Sequence, residues 1–249
     1  NVGFIGTYRD NNAENTGSAA TYGVDGNFTF FENLNMNAYY ARSSTPKPEK
    51  SGLSYRASLE YDSDLFGLAA EHLLVDSAFS PGIGFVRRDN LRKSSAGTRY
   101  SIRPSWFEAV RKFDFEGRYD YYERADIGMV ETKTAEFESR ARLESGDFVN
   151  VTYNRNVEVL FDSFEISDGI FVPMGNYSFD RVRGGVWFGG HRRLSGWIGA
   201  EVGGFFGGRR TELTYRGRAV FSSKFFIEPH VSMNWIKLAQ GSFTTSVFR

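Results

Sequence analysis

Apolar and polar side chains alternate with a period of two along most of this chain, the repeat of a β-strand, and the spacing of an amphipathic helix is almost absent. Leu213, Tyr215, Gly217, Ala219 and Phe221 interleave with Glu212, Thr214, Arg216 and Arg218. Phe113, Phe115, Gly117, Tyr119 and Tyr121 interleave with Lys112, Asp114, Glu116, Arg118 and Asp120. Phe225, Ile227, Pro229, Val231, Met233 and Trp235 do the same with Glu228, His230, Ser232 and Asn234. One face of each strand is therefore apolar or small and the other densely charged.

A soluble sandwich and a membrane barrel both alternate, so length and connections must separate them. Several runs reach roughly ten to fifteen residues, against about five or six in globular strands and nine to eleven needed to cross a bilayer at a tilt. The joints at 10–19, 42–51, 76–96 and 156–177 are long. Those at 32–33, 62–64, 105–109, 145–147, 191–193 and 222–224 are short, those at 123–129 and 207–210 intermediate, and 239–242 is a tight turn. Long and short joints alternate along most of the chain, as in outer-membrane barrels with short periplasmic turns and longer external loops. The pattern predicts an all-β, antiparallel up-and-down transmembrane barrel over residues 1–249. About fourteen strands are visible, and both ends stop inside strand pattern, so a longer polypeptide with sixteen or more strands is expected. Phe30, Phe31, Tyr61, Phe66, Trp106, Phe107, Phe148, Phe225 and Trp235 are candidates for aromatic girdles at strand ends.

Composition narrows the function classes. The 249 residues include 24 Phe, 13 Tyr, 4 Trp and 27 Gly, and 30 basic side chains balance 30 acidic ones. That balance, without a basic stripe, removes the charge argument for nucleic acid. The absence of cysteine removes disulfides, thiolate metal sites and thiol nucleophiles. No run of apolar residues is long enough for a membrane helix.

Two stretches carry a family resemblance. Phe79-Ser80-Pro81-Gly82-Ile83-Gly84-Phe85-Val86-Arg87-Arg88-Asp89 is one. The other runs from Phe164-Glu165-Ile166 to Val172-Pro173-Met174-Gly175-Asn176-Tyr177-Ser178-Phe179. Both resemble signature loops of a bacterial family of unknown function, in which an outer-membrane β-barrel domain lies C-terminal to a domain like carbohydrate-binding module family 9. The resemblance implies that this chain is the barrel portion and that such a domain is its attached partner. It implies no catalytic residue, and the carbohydrate-binding-like domain itself is absent from these residues.

The charged face supplies the expected lumen. It comprises Arg56, Glu60, Arg99, Arg103, Asp114, Glu116, Arg118, Glu138, Arg140, Arg142, Arg181, Arg183, Glu201, Arg216, Arg218 and Glu228, with Lys112, Asp120, Glu136, Glu144 and Glu212 between them. Acid set opposite base on neighbouring strands serves equally as a salt-bridged wall or as a polar conduit that orients a solute. The two longest joints are unusually apolar for solvated loops. Phe79, Pro81, Phe85, Arg87 and Arg88 in one, and Phe164, Phe171 and Pro173 in the other, are expected to form a plug, a cap or a docking surface.

Catalytic and metal chemistry have little to stand on. His230, Ser232 and Glu228 share one strand face and are the nearest approach to a hydrolase constellation, although such neighbours arise easily by chance. His191 is read as a solvated turn and His72 as wall. Asp162, Glu165 and Asp168 fit no calcium loop. The glycines around 184–185 and 203–208 precede no helix, so they are read as room for a bulky neighbour, Trp187, Trp197 or Phe206, rather than a phosphate cradle. The resulting expectation is a non-enzymatic barrel in the bacterial outer membrane. It has lipid as its surroundings, no cofactor or metal, and a porin-like role in passage or retention of a small or oligomeric solute, saccharide included. A non-conducting anchor for an attached domain and a barrel hydrolase are the other two classes.

Overall fold

The computed structural model describes residues 1–10, 18–46, 49–82 and 84–249, with side chains at 45, 46, 49 and 50 excepted. Ile83 and parts of the joints at 10–19 and 42–51 lie outside the described residues. Two compact units divide the chain. One holds Asn1–Thr98 with Tyr119–Lys133, the other Arg99–Arg118 with Thr134–Arg249.

The first unit contains β1 (Val2–Arg9), β2 (Ala19–Phe30), β3 (Leu34–Pro46), β4 (Glu49–Asp62) and β5 (Phe66–Val75). Three strands, β6 (Leu91–Ile102), β7 (Val110–Arg124) and β8 (Val130–Leu143), contribute residues to both units. The second unit continues with β9 (Phe148–Leu160), β10 (Phe164–Ser167), β11 (Ile170–Val172), β12 (Gly175–Phe188) and β13 (Leu194–Phe205). It ends with β14 (Gly208–Ser222), β15 (Phe225–Ile227), β16 (His230–Leu238) and β17 (Gly241–Phe248).

Fifteen of these strands form one sheet, in which each main strand pairs with the next in chain order. The register is antiparallel throughout the pairs β1–β5 and from β9 through β12, β13, β14 and β16 to β17. Strand β15 pairs β14 in line with β16. The interruption falls at Glu228-Pro229, where proline has no N–H to give the ladder. Counting that interrupted strand once leaves fourteen along the sheet. Among the described residues β1 and β17 stand at the two ends of the strand order with no ladder between them, so the expected closure into a barrel is not seen.

Several strands run further than the alternation suggested. Strand β9 extends to Leu160 and β12 begins at Gly175, because Gly175↔Leu160 through Phe179↔Asn156 continue the ladder. The expected loop at 156–177 thus shrinks to 161–174 and contains its own hairpin, β10–β11. Strand β6 begins at Leu91, inside the joint assigned to 76–96. Its charged residues are engaged, with Arg92 paired to Glu123 and Lys93 Nζ 2.7 Å from Glu71 Oε1.

In the second unit the burial is the reverse of a soluble core. Asp114 is 1% exposed and Glu201 4%, whereas Leu213 is 49%, Ile198 50% and Phe137 52% exposed. Val151, Tyr153, Val182 and Val202 lie open on the same apolar face. The first unit repeats the pattern, with Ser43 and Ser54 buried and Val24, Phe28, Met36, Tyr40 and Leu59 exposed.

Candidate functional site

The second unit carries a cavity of about 1420 Å³ against the charged faces of β8, β9, β12, β13, β14 and β16. Register sets its side chains in rows across the strands. Nearest the short turns lie Phe148, Trp187, Trp197, Arg216 and His230; next come Asn150, Gly185, Gly199, Thr214 and Ser232; then Thr152, Arg183, Glu201, Glu212 and Asn234.

The third row is a web of ion pairs. Glu201 accepts from Arg183 Nε at 2.9 Å and from Arg181 Nη1 at 3.1 Å. Arg210 is paired with Glu212 and donates to Asn234 Oδ1 at 3.0 Å, while Thr214 donates to Glu212 at 2.9 Å. Further along the same face, buried Asp114 takes Ser101 Oγ at 2.7 Å, Arg142 Nε at 2.8 Å and Lys112 Nζ at 3.1 Å. Buried charges that are paired and hydrogen-bonded in this way avoid the large cost of an isolated one. The expected lumen residues on the strands of this unit fall on the charged face by strand parity: Arg99 on β6, Asp114, Glu116 and Arg118 on β7, and Glu138, Arg140 and Arg142 on β8, while Arg103 lies just past the end of β6 and lines a small cavity with Lys112 and Arg142. Arg181, Arg183, Glu201, Arg216 and Arg218 continue it, and Glu228 lies in line at the break, 3.9 Å from Arg218. In the first unit Arg56 Nε donates to Glu71 Oε2 at 2.7 Å, and Glu60 shares the parity of Arg56 with an exposed side chain.

One end of this face is covered by the β10–β11 hairpin. Val172, 1% exposed, packs with Ile236 and Leu238 of β16. Leu160, Phe164, Ile166, Ile170, Tyr177, Phe205, Phe206 and Phe243 pack against them. Phe164 and Tyr177 both meet Phe206 edge to face, and the Tyr177 hydroxyl donates to the Pro173 carbonyl at 2.8 Å. Phe171 points away, half exposed. In the first unit the 76–90 connection leans on the charged face. The Phe79 backbone sits where a Cβ on Gly52 would project, Ser80 N–H donates to Ser43 Oγ at 2.8 Å, and Arg9 reaches the Gly82 carbonyl at 3.0 Å. Pro81 is half-buried, Phe85 and Arg87 are exposed, and Arg88 is paired with Glu131.

His191 lies exposed in a turn, as read, but the Ser–His pairing falls away from its expected place. Ser232 donates to Glu212 at 3.3 Å, and among the described residues no hydrogen bond joins it to His230. The Ser–His contact is elsewhere: His72 Nδ1 lies 2.8 Å from Ser94 Oγ, with the Tyr55 hydroxyl 3.4 Å from Nε2. These three share the apolar face of the first unit, where His72 stands between the two hydroxyls. The turn bearing His191 is held by Asp147, which accepts from Arg192 Nε at 3.0 Å and from Gly189 N–H at 2.8 Å. The Arg192 guanidinium foremost, with the Gly189 N–H behind it, holds the Asp147 carboxyl well below the usual carboxylate range.

Phe148 is a correction. It faces the cavity and stacks on Trp187 and Trp197, so it is no girdle residue; its neighbours Asn150 and Thr152 in the same phase are the signal that places it there. Phe31, Phe66, Trp106, Phe107 and Phe225 are exposed at or beside the short turns of their own units, as girdle residues would be. The aromatic row itself was not anticipated. Comparison with known proteins adds no family: no family model, no curated protein and no solved structure matches this chain.

Proposed function

We propose that this chain works as a bacterial outer-membrane β-barrel. Its apolar face meets lipid, and its charged face lines an interior through which a small or oligomeric polar solute passes or is retained. The observation that carries this reading is the reversal of burial: large apolar side chains are exposed strand after strand while Asp114 and Glu201 are buried. A soluble protein rarely exposes so much contiguous apolar surface. In hydrocarbon an unpaired strand edge is not tolerated, so on this reading β1 and β17 are joined, to each other or through further strands. The near balance of acids and bases around the cavity suits a polar solute better than a single class of ion. The resemblance in the two loop stretches makes a carbohydrate-binding-like domain the expected attached partner.

A second reading, a non-conducting anchor, draws on the apolar cluster around Val172 and the ion pairs across the interior. Planar-bilayer conductance of the refolded chain, with and without residues 161–174, separates the two. Current steps that appear or grow on deletion support the gated interior. Silence in both forms, with heat-modifiable migration intact, contradicts it and favours the anchor.

A further inference from the structure

We propose that the cavity of the second unit holds a saccharide against an aromatic floor laid by Phe148, Trp187 and Trp197; this rests on reading the charged face as an interior open to solute. The three rings come from adjacent strands in one register row. Phe148 lies 6.0 Å from Trp187 with planes 8° apart, and 6.2 Å from Trp197 with planes 28° apart. Glycine makes the floor flat. A Cβ on Gly185 would fall 2.3 Å from Trp197 Cη2, and one on Gly199 2.6 Å from Cζ2, so the indole lies down along the sheet over the two bare positions. Trp187 keeps 38% exposure beside the cavity.

The surroundings of the floor are polar. Arg140 stands over the Phe148 ring at 5.5 Å, and Asn150 follows Phe148 on the same face. Arg140 Nε and Asn150 Oδ1 make no hydrogen bond within the protein; both are closed to solvent, so a ligand meets them when their side chains turn toward the cavity. One is a donor and the other an acceptor. Aromatic rings beside unmet donors and acceptors are poor core and good recognition surface. A sugar ring offers the complement. The C–H groups of its face meet the negative face of an aromatic ring, and its hydroxyl rim both donates and accepts. Arg140, Arg181 and Arg183 are already paired with Glu138 and Glu201, so a phosphate drawn to these three would have to break those pairs, whereas a neutral polyol would not.

The test is titration of tryptophan emission of the full chain, refolded in a detergent without a sugar headgroup. The probes are glucose, maltohexaose, cellohexaose and chitohexaose. A saturable change with at least one hexasaccharide is expected. Trp197→Ala should weaken it about tenfold, while Trp197→Phe retains most of the affinity. If Trp197→Ala loses heat-modifiable migration, Trp187→Ala replaces it. No saturable change with any probe, or unchanged affinity in a folded alanine variant, overturns the floor. Potassium chloride conductance on the same preparation keeps the two readings apart. Current without saccharide binding sinks this inference and leaves the conducting interior standing; binding without current supports the floor and shifts the weight to the anchor.

Discussion

At the scale of single residues, strand parity explains more than residue type. Trp187 and Phe148 are as hydrophobic as Trp235, yet they face the charged side because each is in phase with Arg183 or Thr152, whereas Trp235 is in phase with Met233. That phase is written in the sequence, and reading Phe148 as a girdle residue overlooks it. The Gly185–Trp197 contact was half legible: the glycines read as room for Trp187, Trp197 or Phe206, and the register across the ladder decides that Trp197 lies over Gly185. The Asp147 clamp is similarly remote in sequence, joining two turns. Its pH dependence has a definite sign. The folded carboxyl titrates below the unfolded value of about 3.9, so its stabilisation is present above that pH and is lost as pH falls toward the lowered folded value. Asp147→Asn should be less stable at neutral pH and flatter in its acid response than the parent. Unfolding midpoints across an acid series check this, and parallel curves for the two proteins would contradict it.

At the scale of elements, the strands were legible because alternation in Leu213–Ala219 or Phe113–Tyr121 is unbroken. The boundaries were not, because polar and charged residues such as Arg92, Lys93, Asn156 and Glu158 read as loop until their partners are known. The β10–β11 hairpin was concealed for another reason: its apolar residues serve packing against β16, a contact far away in sequence. Val172→Ala should cost the hairpin about 2 kcal/mol. Amide hydrogen exchange should then speed up across 164–172 while β13 and β14 stay protected. Unchanged hairpin exchange would show that Val172 does not hold it. On β14 the two faces should answer charge differently. Leu213→Arg is expected to destabilise the membrane-embedded form by about 2–4 kcal/mol, and Thr214→Arg by much less. Equal effects in reversible unfolding from lipid vesicles would argue against the assigned faces.

At the scale of the whole molecule, one physical fact organises the rest: in both units the large side chains of the apolar strand face stand exposed, while charged side chains of the other face pair with each other. That arrangement is costly in water and favourable in a bilayer. The proposed function therefore stands or falls on whether the apolar face meets lipid. A chain without cysteine permits a clean test. Single cysteines placed in turn at residues 211–218 and spin-labelled in liposomes report collision with oxygen, enriched in lipid, or with a water-soluble nickel chelate. The account predicts a period of two, with oxygen favoured at 213, 215 and 217 and the chelate at 212, 214 and 216. Chelate access at every position, or labels at 213 and 215 shielded from lipid, would contradict it.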